Sequence, residues 1–393
     1  MSEIKTVYMD HAATTPPATE VAVAMQLYLA SKYGNPSALY AIGRESKQAI
    51  EEARRKVAAL INASPDEVYF TSGGSESDNM ALRGVLQARG DGPKDIVTTR
   101  IEHHAVLETA EFLQSIGYGA TFVEVDSTGL VDPADIKAAI TPETALVSVM
   151  HANNEVGTIE PISEISRICR EAGVYLHTDA VQTVGNIPVD VEEMGVDMLS
   201  MSAHKLYGPK GVGAIYIRRG TRVARFIHGG EQERGMRAGT ENIGGIAGFG
   251  AAAELAAVEM EAKVPRIKAL RDRLADGLLG AMEDIVLNGH PDARLPNNVH
   301  IGISYIEGEA ICLQLDTVGI CASTGSACSS EALEPSHVLV ALGVPAIEAH
   351  GSVRFSLGRG TTDEDIDYVL EKLPPIIARL RSMSPLARKR VTG

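Results

Sequence analysis

The chain has 393 residues, 45% of them hydrophobic, enough apolar material for two or three packed domains. Its formal net charge is −15 with a pI near 5.2, so apart from the short basic run Arg388-Lys389-Arg390 nothing in it favours nucleic acid or an anionic membrane. The start, MSEIKTVYMDHAATTPP, lacks the apolar core of a signal peptide, no run of about 18 apolar residues stands out as a membrane span, and four cysteines are too few for a disulfide framework. A cytoplasmic, reducing setting and small-molecule chemistry are expected.

From about residue 45 to 260, helical patterns alternate with short apolar runs that end in Gly or polar residues, which predicts repeated βα units around a mostly parallel sheet. Helical stretches include 45–61, 162–172 and 246–263, and strands include 95–99, 120–125, 145–150, 174–177 and 198–201. Beyond 260 the alternation stops. A charged helix at 266–282, a strand at 298–303 and helices at 307–318 and 363–383 suggest a smaller α+β unit. The expected fold class is therefore α/β: a large domain over 15–260, its central sheet flanked by helices, and a small α+β domain from 1–14 and 261–393. Segments 228–245 and 321–335 read as long loops, which in compact proteins are often functional.

Candidate chemistry follows the strand ends. Residues 70–79, FTSGGSESDN, follow an apolar run and open a helix, so their backbone N–H groups and hydroxyls suit an anion such as a phosphate; an ordinary helix cap is the alternative. The segment is neither a P-loop nor a GxGxxG fingerprint. After strand 95–99, Glu102-His103-His104 places imidazoles at the same sheet edge, and the residues alone do not choose between the two histidines or between a proton shuttle and a structural role. Asp179 closes the run VYLHTD and can face a protonated ring nitrogen, or cap a helix. Lys205 lies just past the next strand, where open α/β sheets bind ligands and where an amine can bond to an aldehyde. Alone it reads as a solvated loop lysine; one βα step after Asp179 it reads as cofactor-binding.

Among the cysteines, Cys328 lies between small residues (Gly325-Ser326-Ala327 and Ser329-Ser330) in a loop where a thiol is accessible to act as a nucleophile. Cys169 and Cys312 fall within apolar helical patterns and read as small buried hydrophobes, and Cys321 also reads as structural. Residues 351–359 alternate like a strand that turns Arg354 inward, and arginine binds a carboxylate bidentately in a way lysine does not.

Taken together, YMDHAATTP, YGNPSALY, TSGGSESDN, EHHAVLE, HANNEVGTIEPI, HTDAVQ, SAHKLYGPKGVG, GGEQERGMRAGTEN, STGSACSS and VRFSLGRGTT resemble, nearly end to end, the cysteine desulfurases of the NifS/IscS type, which are fold type I pyridoxal-phosphate (PLP) enzymes. The resemblance implies that Lys205 holds PLP covalently, Asp179 pairs with its ring nitrogen, Gln182 contacts the ring hydroxyl and His103 stacks on the ring. It implies a phosphate cup from Gly74, Ser75, Ser202 and His204, completed by Thr240 from the other subunit of a homodimer, and a substrate carboxylate held by Asn154 and Arg354. Cys328 would take sulfur from L-cysteine as a persulfide, leaving L-alanine, and pass it to an acceptor, usually an iron–sulfur scaffold. No resident metal is expected, although a Cys328 thiolate is chemically able to ligate a cluster transiently.

Two departures stand out: Ser75 replaces the usual threonine but keeps the hydroxyl, and residues 384–390 lack the acidic and aromatic tail of housekeeping members, which leaves the acceptor open. Other activities on this fold, an aminotransferase or a selenocysteine lyase, compete with the reading, as does a catalytically silent binding protein. Cys328 argues against an aminotransferase, and a silent protein would be expected to lose Lys205, Asp179 or Cys328, all of which are present.

Overall fold

A computed structural model describes residues 5–325 and 334–387; Cys328 and Arg388-Lys389-Arg390 lie outside the described residues. Twelve strands are described: β1 (Val7–Tyr8), β2 (Val68–Thr71), β3 (Asp95–Thr99), β4 (Ala120–Val123), β5 (Thr144–Ser148), β6 (Tyr175–Asp179), β7 (Met198–Ser202), β8 (Gly213–Ile217), β9 (Ile285–Leu287), β10 (Asn298–Ile303), β11 (Ile320–Cys321) and β12 (Ser352–Ser356). Seven of them form one sheet in the order β2-β8-β7-β6-β5-β3-β4. Only β8 runs against the others, pairing antiparallel with both β2 and β7. The central strands β5, β7 and β8 are buried along their whole length, as expected of strands covered by helices on both faces. The expected mostly parallel, helix-flanked sheet is thus the observed one.

Two large apolar cores sit side by side. One gathers Val57, Phe70, Val147, Leu176, Met201 and Phe249 around the seven-stranded sheet. The other gathers Leu274, Val299, Leu315, Phe355 and Val369 around β12-β10-β9, an antiparallel sheet. Val7 and Met9 belong to the second core, because β1 pairs in parallel with β11.

The helices expected at 246–263 and 266–282 are one continuous helix, Ile243–Ala281, with Pro265 inside it. A proline removes one backbone hydrogen bond and would ordinarily end a helix. Here both flanks bury apolar faces, Phe249 and Ala253 in the first core and Leu270, Leu274 and Leu278 in the second, and that packing outweighs the break. By length and composition this helix is also apolar enough to cross a membrane, contrary to the sequence expectation, but half of its apolar window is buried inside the protein.

Candidate active site

β6 and β7 are parallel neighbours in the sheet, and their last residues are Asp179 and Ser202. Two of the strand boundaries differ slightly from the sequence expectation: β6 runs on through Asp179 and β7 through Ser202, so both polar groups are held by the sheet itself. Lys205 ends the short turn Ala203–Lys205 directly after β7, and its Nζ donates to the carbonyls of Ala12 at 2.5 Å and Ala13 at 2.9 Å. Asp179 is buried, and its Oδ1 accepts from the Val181 N–H at 2.9 Å. Burial pushes its pKa up to about 6, against the pull of that hydrogen bond and of Lys205. At neutral pH it is mainly an anion.

His103 caps the helix His104–Ser115, with Nδ1 accepting from the Ala105 N–H at 3.1 Å, so the neutral ring carries its proton on Nε2. Burial, then Lys205, brings its pKa down to about 4. Gln182 donates from Nε2 to the Ala12 carbonyl at 3.1 Å.

The helix Gly74–Ala88 begins against these strand ends. A Cβ on Gly74 would come within 2.8 Å of Val181 Cγ2, and one on Gly213 within 2.7 Å of Gly73 Cα, so only glycines allow the turn to press this closely on the sheet. No side-chain cap is made to the helix start, which leaves first-turn N–H groups for an anion beside the buried Ser202. Ser75 is exposed. His204 is half-buried, 3.0 Å from Thr14 Oγ1 through Nδ1, and burial followed by Lys205 lowers its pKa to about 4. Thr240 lies exposed on a segment tied back to this turn, because Arg237 Nε donates to Glu76 Oε1 at 3.0 Å and Glu76 accepts from the Ser72 N–H at 2.9 Å.

The opposite wall belongs to the second core. Arg354 on β12 is 2% exposed; Nη2 donates to Asp10 Oδ1 at 2.9 Å, and Nη1 donates to the carbonyls of Asn154 at 2.8 Å and Gly325 at 3.4 Å. Asn154 thus touches Arg354 through its backbone. The whole of β12 is buried, so Arg354 is enclosed without the in-and-out alternation expected of it. The three described thiols are held protonated: burial pushes Cys169 and Cys312 up to about 12 and also raises Cys321. Cys169 is buried as expected, whereas Cys312 is only half-buried.

Two groups of site residues escaped the sequence reading. The first is the segment from Asp10 to Thr15, which supplies carbonyls to Lys205 and Gln182, Thr14 to His204 and Asp10 to Arg354. Its motif was legible, but backbone carbonyls carry no residue signature. The second is a layer beneath Asp179. His177, two residues earlier on β6 and so on the same face, lies 2.8 Å from Ser148 Oγ, 2.9 Å from Ser200 Oγ and 3.6 Å from Asp78 Oδ1. Burial and then Asp179 hold the Asp78 carboxyl well above its usual range. Glu102 is raised to about 8 by burial, with Oε1 accepting from Thr99 Oγ1 at 2.7 Å and the Met150 N–H at 2.9 Å. The period-two spacing of His177 and Asp179 was the available signal; acids in a polar turn otherwise read as surface.

A lysine amine, a buried carboxylate, an imidazole and an uncapped helix start, with a glycine turn a Cβ would block, are a donor set that fits an aldehyde cofactor with a basic ring nitrogen and a phosphate, as PLP has. Residues 7–369 match the family model described as aminotransferase class-V. The chain is 55% identical over 379 residues to the cysteine desulfurase IscS of Dictyoglomus turgidum, covering 96% of each chain. It is 52% identical over 388 residues to the cysteine desulfurase IscS of Methanosarcina thermophila, covering 99% of this chain and 96% of that one. Among solved structures, a NifS-like protein superposes with a TM-score of 0.90 at 39% identity, over 96% of this chain and 100% of that one. This chain therefore belongs to the aminotransferase class-V family, among the cysteine desulfurases of the NifS/IscS type.

Proposed function

We infer that this chain is a PLP-dependent cysteine desulfurase, which converts L-cysteine to L-alanine and supplies sulfur for iron–sulfur cluster assembly and other sulfur-containing products. The observation that carries the reading is the convergence of Asp179 and His103 on Lys205 at the strand ends of one sheet, with Arg354 joined to Lys205 through the segment from Asp10 to Ala13. When bound, PLP supplies an aldehyde for covalent attachment and a protonated ring that accepts the electron pair released at the substrate Cα.

Lys205 Nζ would be the attachment point, and its free amine would be the base that takes the substrate Cα proton. The Asp179 carboxylate would pair with the ring nitrogen, Gln182 would contact the ring hydroxyl, and neutral His103, with a proton available at Nε2, would stack on the ring. Gly74, Ser75, Ser202 and His204 would take the phosphate, joined by Thr240 of a second copy in a homodimer. Arg354 and Asn154 take the substrate carboxylate. The Cys328 thiolate bonds to the substrate sulfur as the carbon–sulfur bond breaks, the bonding pair stays with carbon, and Cys328 is left as a persulfide.

The two cores support a division into a large domain over 15–260 and a small one over 1–14 and 261–393. The acidic net charge supports a cytoplasmic enzyme that works on a small molecule and a protein acceptor, without nucleic acid or membrane. The test is purified protein loaded with PLP and given L-cysteine. Equimolar L-alanine and, with a thiol reductant, sulfide are expected; absence of both overturns the reading. Turnover of L-selenocysteine with none of L-cysteine would reassign it to a selenocysteine lyase.

A further inference from the structure

The inference rests on the reading of Arg354 as the residue that takes the substrate carboxylate. That arginine already holds a carboxylate of its own chain. Asp10 Oδ1 accepts from Nη2 at 2.9 Å, the guanidinium side chain being 3% exposed and that of Asp10 20%. Nη1 is engaged by two backbone carbonyls, those of Asn154 and Gly325, and Nε is buried without a hydrogen-bond partner. The plane of the guanidinium is therefore set at its Nη edge by one side chain and two carbonyls, and Nε is the donor left without a partner.

Asp10 is not a loose surface charge. Its backbone bridges to Ser356 beside Arg354 on β12, and its carbonyl accepts from Tyr8 Oη at 3.1 Å. Two residues on, the Ala12 N–H donates to Ser356 Oγ at 2.8 Å while the Ala12 carbonyl accepts from Lys205. One short segment thus connects the lysine of one wall to the arginine of the other, and Asp10 is its only acidic side chain.

We propose that Asp10 is a positioning residue of the substrate site: it holds the Arg354 guanidinium in the plane that receives an amino-acid carboxylate, and its charge turns away substrates that bring a second one. The physical reason is twofold. A charge-assisted hydrogen bond fixes a fork that would otherwise rotate about its long stem. A fixed anion beside the subsite leaves a single carboxylate paired with Arg354 but repels another nearby, which is selection by a built-in repulsive element.

The experiment uses the full-length protein carrying its cofactor, with binding read from the cofactor absorbance and turnover alongside. Its probes are L-cysteine, cysteamine (which keeps the amine and thiol but has no carboxylate), L-alanine and L-aspartate. Asp10→Ala should lower the preference for L-cysteine over cysteamine about tenfold, with cysteamine affinity changed less than about twofold. Asp10→Asn keeps an acceptor for Nη2, so it should keep most of that preference while L-aspartate gains about tenfold in affinity relative to L-alanine. A parallel loss of cysteine and cysteamine binding in Asp10→Ala would show general damage and overturn the proposal. Preferences unchanged in both variants, while Arg354→Lys abolishes the discrimination against cysteamine, would overturn it and leave the reading of Arg354 standing. If Arg354→Lys itself leaves that discrimination intact, the reading of Arg354 falls and the proposal with it.

Discussion

The two walls of the site solve different physical problems with different parts. The wall made by β6, β7 and the helix starts beside them holds groups that gain and lose protons, and burial displaces them: Asp179 upward to about 6, His103 and His204 downward to about 4. The wall made by β12 holds a permanent cation fixed by an acid and two carbonyls. Proton chemistry sits where the sheet supplies rigid, dry strand ends, and recognition of a fixed charge sits where a fork can be clamped in one plane. The lesson is a division of labour between cores: one tunes basicity, the other geometry.

The sharpest way to break that comparison is to remove the amine. Lys205→Ala is expected to lose the covalent link to PLP and to lower activity by about a thousandfold or more. Borohydride reduction followed by peptide mapping checks it, and a label on Lys210 in the wild-type protein would move the attachment point off the strand end. Cys328→Ala comes next: alanine and persulfide formation should nearly vanish while the cofactor spectrum and its response to L-cysteine persist, and mass spectrometry after one turnover should find the extra sulfur on the Cys328 peptide. Cys321→Ala should keep most activity, because burial holds that thiol protonated.

On the other wall the effect is smaller and of another kind. Arg354→Lys should raise KM for L-cysteine about ten- to hundredfold with a lesser change in kcat, since a lysine is a point charge without the planar fork. A fall in kcat alone would place Arg354 in the proton chemistry and blur the comparison.

The smallest effect concerns the layer beneath Asp179. Glu102 has its folded pKa raised from an ordinary 4.5 to about 8, so between those values the folded state holds a proton the unfolded chain has released. Its contribution therefore falls as pH rises through that window. Glu102→Gln removes the titration, so the Tm of the variant relative to wild type should climb between about pH 4.5 and pH 8 and level off above it, as thermal scans at several pH values would show. A flat difference would mean that Glu102 is ionised in the folded protein.

How much of this was legible beforehand depended on whether a group's role follows from its own side chain. Lys205, Asp179 and Arg354 each follow or lie within an apolar run, which placed the first two at strand ends and the third on a strand, although β12 is buried throughout rather than alternating. The two-helix reading of 246–282 failed because Pro265 is a strong local stop signal, while the apolar faces that override it pack against cores distant in sequence. Ala12 and Ala13 were invisible as ligands of Lys205 because they act through carbonyls. Asp78 and Glu102 were hidden for the opposite reason: their side chains advertise solvent exposure, and only the packing of the helix Gly74–Ala88 and the turn at 100–103 over the sheet shows that they are buried.

The pairing of β1 with β11 has a consequence for how the protein is made. Residues 7–15 leave the ribosome long before their partners, for Val7 and Tyr8 pair with Ile320 and Cys321, and Ala12 is anchored to Ser356, 344 positions later. A growing chain has every strand of the seven-stranded sheet once Ile217 has emerged, and the helix Ile243–Ala281 then completes its core, so Thr14 and Thr15 can already meet His204, but Ala12 lacks its anchor on Ser356 until β12 exists. Synthesis can therefore deliver a folded scaffold before a complete site, and a stretch made early is held at both walls only when β12 has been made.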